Sequence, residues 1–411
     1  MQGHPLKTPL ALLLVAGLAC ASDSTATPPA TTVRDSAGIQ IVESSAPATP
    51  DTSLASVGAE PLLAIGVEEG DPKYLLHRVY DAYRFADGRT AIGNSGTSEI
   101  RVFDASGKHL HSLGGKGAGP GEFGALASIY FHAHNDTLLA TDGGAFRMNV
   151  YSPDARFVGT RPFDVTGEFT RPFMRGVFAD GTWLVQAFDG GGSLSGPPGA
   201  VLEGGMYTLL RYDAHGKRMN DIARVTDRPR YVHQFGQSIS YPYIPLTAAP
   251  LHTIADNSVL VHRGPRPEIE VYSSTGQLRR LIRLSRPNVR TADVWETVKA
   301  QSLASMNEQQ RPRYEEFFSK QLPLPEFAPA YAAMIVDSDG RIWLQRYRLA
   351  GDPSGPVWDV VGADGAWLGS AATPRGFSVY RIGEDHILGK ETDSLGVERV
   401  QLRAMRTRAG R

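Results

Sequence analysis

Two short turn patterns recur along the chain, and their spacing limits the possible folds more than any other feature. The first pattern is an acidic or asparagine-containing turn before a strand, and the second is an apolar strand that runs into a turn. Asp-Gly and Asn-Asp pairs suit tight hairpins because these residues tolerate positive φ and hydrogen-bond to their own backbone. The first pattern occurs six times, at residues 86–89, 134–136, 179–181, 255–257, 338–341 and 383–385. The second occurs five times, at residues 102–108, 150–156, 211–217, 271–277 and 360–366.

The spacing of the first pattern sets the size of a repeating unit. Neighbouring copies lie 45 or 48 residues apart, except for two intervals of 76 and 83 residues that must contain insertions. A unit of about 45 residues with four short strands and two tight turns has the spacing of a β-propeller blade. The 44 glycines and 28 prolines suit the frequent turns of such a fold. The sequence therefore predicts an all-β protein, a six-bladed β-propeller over residues 61–405.

The sixth unit lacks a copy of the second pattern and therefore lacks its outer strand. Residues 61–66, PLLAIG, read as a strand that precedes the first full unit. We predict that this N-terminal strand completes the last blade and closes the ring, which removes the exposed edges of an open array. Residues 39–43 are expected to add a further strand outside it, although the pattern gives that segment no firm place.

The two faces of the predicted propeller differ in the length of their loops. Both tight turns connect the first strand to the second or the third to the fourth, so they share one face, here called the plain face. The long irregular segments lie on the opposite, elaborated face, at residues 189–205, 226–245, 286–329 and 350–356. Because function usually lies on variable loops held by a rigid scaffold, we expect the site on the elaborated face, at the mouth of the central channel.

The longest of these segments contains the one predicted helical region, residues 291–322. Thr291 with Asp293 is expected to cap the first helix, and Pro312 is expected to separate two helices. The region is either a static cap on the rim or a lid over the channel. Its apolar residues have helical spacing: Val294, Trp295 and Val298, then Tyr314, Phe317 and Phe318.

The N-terminus, residues 1–20, has the pattern of a bacterial export signal. Lys7 precedes an apolar run at residues 10–19 that is too short to span a bilayer comfortably. The run ends at Gly17-Leu18-Ala19-Cys20, which resembles a lipobox, so we expect lipidation of Cys20. Cleavage at the A-x-A sequence Ala19-Cys20-Ala21 by an ordinary signal peptidase is the alternative. As the single cysteine, Cys20 excludes an internal disulfide and a thiolate metal cluster.

The remaining terminal segments carry no core pattern. Residues 21–34 read as a flexible tether, 35–60 as an N-terminal extension and 406–411 as a basic tail. The residue after the cysteine is Ala21 and not an acidic residue, which by analogy with the lipoproteins of enteric bacteria favours location in the outer membrane. We expect an exported monomer that a lipid anchors in the cell envelope.

Several segments resemble the bacterial six-bladed β-propeller lipoproteins with NHL-like repeats. They are the signal ending at Cys20, DSAGI at residues 35–39, LAIG at 63–66 and, most specifically, GKGAGPGEF at 115–123. In the corresponding segment of the family, arginine often occupies the position of Lys116, so the resemblance implies a positive charge there and not a lysine in particular. The resemblance covers residues 61–405 and implies the fold, but it implies no activity because propellers host many unrelated functions.

The charge balance and the motifs exclude several functions. The net charge is −1 and no block of like charge occurs, so the sequence shows no basic patch of the kind that binds nucleic acid. The GKGAGPGEF loop has no P-loop order and no following helix, so it reads as an inter-blade turn in which Glu122 could pair with Lys116. The pairs His109/His111 and His132/His134 could each place two imidazoles on one strand face for a metal, but they read better as solvated surface.

Polar residues at strand ends near the elaborated face form the candidate ligand-binding set. They come from different blades, so they could converge on the channel mouth, where the four cations would favour an anion. The alternative is that each satisfies a local loop group. The set is Asn94, Lys116, Asp142, Arg147, Arg263 and Arg346.

Two functions fit this sequence. The first is a non-catalytic ligand-binding or protein-interaction module without a cofactor, whose partner is an envelope protein, a peptide or a glycan. The second is a calcium-dependent, lactonase-like hydrolase, with Asn94, Glu122 and Asp142 as the available Ca²⁺ ligands. The first function is preferred because no catalytic motif is recognisable. In addition, no glutamate lies on an inner strand at the position expected for the first Ca²⁺ ligand.

Overall fold

The computed structural model describes residues 30–49, 54–124, 131–134, 136–142, 147–164, 169–190, 194–349, 352 and 354–407, with the backbone alone at 131–134. Its strands form six radially repeated blades of four antiparallel strands, and two further strands extend the sheet of blade four. Before the first blade come β1 (Thr31–Ser36), β2 (Ile39–Ser44), β3 (Ala55–Ile65) and a 3₁₀ turn at Pro72–Tyr74.

The first three blades follow the chain in order. Blade one is β4 (Val79–Arg84), β5 (Thr90–Asn94), β6 (Glu99–Phe103) and β7 (His109–Gly114). Blade two is β8 (Phe131–His134), β9 (Thr137–Asp142), β10 (Arg147–Tyr151) and β11 (Phe157–Pro162). Blade three is β12 (Phe169–Val177), β13 (Trp183–Asp189), β15 (Met206–Tyr212) and β16 (Arg218–Thr226), with β14 (Val201–Leu202) in a loop.

The next connection carries three short strands, and blades four to six follow. The connecting strands are β17 (Arg230–Tyr231), β18 (His233–Phe235) and β19 (Ser238–Ser240). Blade four is β20 (Leu251–Ala255), β21 (Ser258–His262), β22 (Glu268–Ser273) and β23 (Leu278–Leu284). Blade five is β24 (Tyr331–Val336), β25 (Ile342–Arg346), β26 (Val357–Val361) and β27 (Trp367–Ala372). Blade six is β28 (Phe377–Ile382), β29 (His386–Thr392), β30 (Glu398–Thr407) and β3.

The predicted closure of the ring is confirmed. Strand β3 pairs antiparallel with β30, with Leu63 opposite Leu402 and Ile65 opposite Val400. The strand begins at Ala55, before the expected start at residue 61, and register shifts on both sides of Pro61 interrupt the pairing. Proline lacks the N–H that a ladder needs, so it lies at an irregularity on the outer strand.

The prediction that residues 39–43 lie outside the last blade is wrong. Strand β2 pairs in parallel with β23, the outer strand of blade four, with Val42 opposite Ile282. Arg283 on β23 reinforces this contact through an ion pair with Glu43 on β2 at 3.0 Å. The same guanidinium also pairs with Glu268 on the neighbouring strand of blade four at 2.5 Å. Strand β1 pairs antiparallel with β2, so this sheet has six strands. The prediction of a flexible tether over residues 21–34 is therefore wrong for residues 31–34, which form part of β1.

The apolar core is divided among the spaces between neighbouring blades. Blades one and two bury Phe85, Phe123 and Tyr151 between them, while blades six and one bury Ile65 and Val400. Similar clusters fill the other four spaces. A sheet that buries both faces in this way has near-continuous apolar runs in its middle strands.

The helical insertion consists of α1 (Thr291–Ala304) and α2 (Arg311–Ser319). Pro312 does not separate them but lies in the first turn of α2, where its missing N–H costs no helical hydrogen bond. Thr291 is the first helical residue rather than the cap, and the N-cap position is Arg290, which makes no side-chain capping bond. Trp295 packs against Phe318 with a ring separation of 5.7 Å and joins the two helices. No helix in the described part of the chain is long and apolar enough to cross a membrane.

Candidate binding site in the central channel

The innermost strands surround a cavity of about 600 Å³ in the central channel. Its lining includes residues of β4, β12, β20, β24 and β28, together with turn residues such as Ala179, Asp256 and Gly340. Those turns join the first and second strands of blades three, four and five, so the cavity lies towards the plain face. This position differs from the expected one on the elaborated face, because the long loops contribute no residue to the cavity lining.

Strand geometry explains which side chains reach the channel. Alternate residues of a strand share a face, and Asp81 and Tyr83 both line the cavity from β4. On β28 the consecutive residues Tyr380 and Arg381 both line it, and the pairing with β29 shifts register between Val379 and Arg381. Such an irregularity re-aims side chains, so a bulge increases the number of polar groups that blade six presents.

A polar network on one side of the channel joins blade six to blade one. Arg381 donates to Asp81 at 2.9 Å, and the Tyr380 hydroxyl donates to the Val79 carbonyl at 3.0 Å. Lys390 donates to the same carbonyl at 3.1 Å and to Glu398 at 2.6 Å. Burial, followed by the charge of Asp81, raises the pKa of Tyr380, so its hydroxyl remains a donor at neutral pH. These groups fix the channel wall where the ring closes.

Blade three lies opposite blade six and presents Arg175. Its Nε donates to Gln186 Oε1 at 2.8 Å, and its guanidinium lies over the Phe173 ring at 5.6 Å. Tyr83 donates to Asp136 at 3.3 Å, and burial together with that carboxylate raises the pKa of Tyr83 to about 12. The cavity therefore combines guanidinium and hydroxyl donors with a carboxylate acceptor.

This chemistry suits recognition of a polar ligand. In the described part of the chain, no three His, Cys, Asp or Glu side chains are grouped so that they could hold a metal. The geometry offers fixed hydrogen bonds and charge.

The structure does not bring the six predicted site residues together. None of them lines the channel cavity, and the only ion pair between two of them joins Arg147 Nε to Asp142 Oδ2 at 3.4 Å among the described residues. They lie at or beyond the ends of second strands, or at the loop that follows blade one. That position is on the elaborated face, but the side chains that form hydrogen bonds reach separate groups in their own surroundings.

Most of these side chains support the backbone of neighbouring loops. Asn94 accepts from the His77 N–H at 2.7 Å, and Asp142 accepts from the Gly124 N–H at 2.9 Å. Arg263 pairs with Glu270 at 2.6 Å. Arg346 donates at 2.6 Å to the buried Asp359. This geometry agrees with the alternative that each residue satisfies a polar group in its own surroundings. A direct role of these residues in ligand binding stays a prediction.

The GKGAGPGEF segment is a tight inter-blade turn. Arg147 donates to the carbonyls of Gly119 at 3.1 Å and Glu122 at 2.7 Å. Glu122 accepts from the Gly119 N–H at 2.7 Å and forms no ion pair with Lys116. A Cβ added at Gly117 would lie only 2.0 Å from the Glu122 carboxylate, so a larger residue there would displace that side chain from its bond to the Gly119 N–H. No side-chain hydrogen bond or ion pair is found for Lys116 among the described residues.

The remaining sequence candidates lie away from the channel or outside the described residues. His109 and His111 are on β7, the outer strand of blade one, where His109 contacts Ser112 at 3.0 Å. Burial lowers the pKa of His109. The side chains of His132 and His134, and the whole of Cys20, fall outside the described residues.

The channel residues Asp81, Tyr83, Arg175 and Arg381 were missed by sequence reasoning. A signal existed, because each lies on the first strand after a connection between blades, and such strands line the channel of a propeller. The bulges that select which of two neighbouring residues faces inward have no comparable sequence signal.

A histidine beside the channel, half-buried with a fully buried ring nitrogen, leads to a pH-dependent prediction. His252 on β20 has a buried Nδ1 without a hydrogen bond to any described residue, and its ring lies 5.9 Å from that of Tyr207. Burial, and then the charge of Arg175, lower the pKa of His252 to about 3. The histidine of the unfolded chain takes up a proton near pH 6.5, whereas the folded protein keeps it neutral down to about pH 3. Protonation therefore favours the unfolded chain, and the free energy of unfolding decreases as the pH falls below about 6.5. Between about pH 7.5 and 5.5 this one group should reduce the free energy of unfolding by about 1.4 kcal/mol.

The substitution His252→Phe should remove this part of the pH dependence, and urea denaturation at both pH values measures it. His215→Asn, at an exposed turn position, is the control and should keep the slope of the wild type. An unchanged slope in His252→Phe would contradict the assignment.

Comparisons with known proteins agree with the architecture. Residues 74–175 match the model of the DUF5128 family, described as a 6-bladed β-propeller, while no curated protein matches the chain. The chain is similar to a Bacteroides fragilis protein that is named an exported protein, with 12% identity, a TM-score of 0.48 and coverage of 90% of this chain and 99% of that one. A duf4221 protein from Bacteroides vulgatus is 11% identical, with a TM-score of 0.48 and coverage of 87% of this chain and 100% of that one. A calcium-binding regucalcin from Agrobacterium tumefaciens is 10% identical, with a TM-score of 0.37 and coverage of 88% of this chain and 97% of that one. The family match and the six blades of the structure together identify the protein as a six-bladed β-propeller.

Proposed function

We propose that the protein is a non-catalytic module that binds a polar ligand, the end of a peptide or a glycan, in the channel cavity. The observation that carries this proposal is the cavity of about 600 Å³, lined by Arg175, Asp81, Tyr83 and Arg381 from three blades. Its volume lies within the roughly 300–1,000 Å³ range of small-molecule sites. The ring of blades holds these groups on strands, which positions them more rigidly than loops would.

The charge of the lining favours a neutral or zwitterionic ligand over a strongly anionic one. Arg381 is paired with Asp81, and Asp337 at the channel wall pairs with Arg341 at 2.7 Å. The donors and acceptors of the cavity are therefore mixed, as a peptide end or a sugar with several hydroxyl groups requires. This differs from the anion expected from the arginines of the elaborated face.

The proposed setting is the cell envelope. The signal-like segment 1–20 and Cys20 support export and lipid anchoring, with Ala21 favouring the outer membrane. The stretch of chain between Cys20 and β1 would leave the propeller free to meet an envelope protein, a peptide or a glycan. Mass spectrometry of the N-terminal peptide from the native membrane fraction tests the anchor through the mass of the lipid on Cys20.

No specific observation favours the calcium-dependent hydrolase. The candidate ligands Asn94, Glu122 and Asp142 accept hydrogen bonds from three different backbone N–H groups, those of His77, Gly119 and Gly124. Elemental analysis before and after chelation decides between the two functions. One stoichiometric calcium, lost together with thermal stability, would support the hydrolase.

The channel is tested with Arg175→Met and the matched control Lys116→Met. Both substitutions remove a cation and keep an apolar stem, one in the channel and one on the loop of the elaborated face. With defined tripeptides and oligosaccharides as probes, titration calorimetry should show binding to the wild type that weakens about tenfold or more in Arg175→Met. Lys116→Met should bind as the wild type does.

The reverse pattern would place the site on the elaborated face and contradict the proposal. Equal binding by both variants would also contradict it. Circular dichroism melting of the two variants separates loss of a contact from loss of the fold, because Arg175 also bonds to Gln186.

A further inference from the structure

A second cavity lies on the elaborated face, where α2 packs against the loop strands β18 and β19. Its volume is about 220 Å³, and Tyr241, Pro242, Tyr314 and Phe317 form apolar walls. His233 and Arg313 also line it. None of these residues lines the channel cavity, so the pocket is separate from the proposed channel site.

His233 is the most unusual group in this pocket. Its residue is only 2% exposed, yet neither ring nitrogen has a well-formed hydrogen bond with a described residue, and the backbone of Arg313 is the one polar backbone group near enough to affect its pKa. The ring packs against Phe317 with a centroid separation of 5.4 Å. Burial lowers the pKa of His233, against the opposing effects of the Glu316 carboxylate and the Arg313 carbonyl. A neutral imidazole can both donate and accept, and a buried polar group without a partner requires an explanation.

Arg313 supplies a second unused polar group. Among the described residues, no hydrogen bond or ion pair involves its side chain. The carboxylate of Glu316 is already paired with Lys320 at 3.1 Å. A guanidinium that remains available beside a buried imidazole is a good partner for a carboxylate, which it can bind through two parallel hydrogen bonds.

The aromatic walls define the rest of the ligand. Phe317 lies 6.3 Å from Tyr314 and 5.9 Å from Tyr231, so one side of the pocket is a cluster of rings. Aromatic faces and edges favour another planar ring. An apolar cavity of about 150 Å³ accommodates benzene, so a cavity of about 220 Å³ has room for a ring with a polar substituent.

We propose that this pocket binds a small aromatic carboxylic acid. The ring lies against Tyr241, Tyr314 and Phe317, the carboxylate pairs with Arg313, and a further polar atom of the ligand bonds to His233. The site is independent of the channel and adds a second specificity to the propeller.

The probe is 4-hydroxybenzoate, with phenol as the analogue that lacks the carboxylate, and calorimetry measures binding to the full propeller. Wild type should bind 4-hydroxybenzoate at least tenfold more tightly than phenol. Arg313→Met should weaken binding of the acid tenfold or more and leave phenol unchanged, because a charge-assisted bond is lost. His233→Phe should weaken binding because it removes both ring nitrogens and keeps a ring of similar size in the wall.

Two controls keep the test independent of the fold and of the channel. Arg311→Met, at an exposed position of the same helix, and Arg175→Met, in the channel, should bind the acid as the wild type does. Arg313 lies on the partly exposed side of α2, so its variant remains informative if His233→Phe does not fold. Absence of binding by folded wild type at millimolar 4-hydroxybenzoate would overturn the proposal. Equal affinity of Arg313→Met and wild type would also overturn it.

Discussion

The substitution Ile65→Asp is expected to unfold the propeller or leave it barely stable. Ile65 is 1% exposed and packs with Leu76, Phe103 and Val400 in the space between the last and first blades. An aspartate there would lose the packing and bury a carboxylate without a partner, a change that costs about 4 kcal/mol or more. Since domains of this kind are stable by about 5–15 kcal/mol, most of the stability would be lost at the point of ring closure.

The matched control is Leu62→Asp, on the same strand. Leu62 is 65% exposed, so the same substitution should change the free energy of unfolding by less than about 0.5 kcal/mol. Urea denaturation followed by circular dichroism measures both variants. Equal midpoints for Ile65→Asp and the wild type would show that β3 is not required for closure.

The second large effect is expected for Asp359→Ala in blade five. The Asp359 side chain is fully buried and accepts from Arg346 at 2.6 Å and Ser370 at 3.0 Å, while Arg286 lies 3.6 Å away. Removal of the carboxylate leaves two guanidinium groups without their buried counter-ion. Breaking a buried pair in this way costs about 3–5 kcal/mol.

An exposed ion pair provides the comparison for Asp359. Glu296 pairs with Lys299 on α1 at 2.8 Å, and its side chain is 76% exposed. Glu296→Ala should therefore cost no more than about 0.5 kcal/mol. Thermal and urea unfolding of the two variants measure the difference. A small effect of Asp359→Ala would mean that water compensates the arginines and that the cluster is not a structural centre of blade five.

Local signals predicted the architecture because a blade is built from local contacts. Each tight turn places consecutive strands side by side, so six turns before strands are enough to predict six sheets. The closing strand was also predictable, because a missing strand at one terminus matched an extra apolar strand at the other. Strand β2 was not, since its parallel pairing with β23 joins segments about 240 residues apart and no local pattern specifies that partner.

The candidate sites required the tertiary structure. Sequence reasoning selected polar residues at strand ends near the elaborated face, but Asn94, Arg147 and Arg346 use their hydrogen bonds on nearby loops and on Asp359. The polar wall of the channel comes from first strands and depends on bulges. The unpartnered nitrogens of His233 depend on the docking of α2, which the spacing of apolar residues does not define.

The sequence by itself determined the number of blades, the closure by an N-terminal strand and the position of the helical insertion. These properties follow from turn chemistry and from the period of strands, both of which act over a few residues. Only the tertiary structure decided which side chains share the channel, which arginines are neutralised and which histidines are buried. Those outcomes depend on contacts between blades that are distant in the chain, and a side chain's partners are set by the packing of all six blades together.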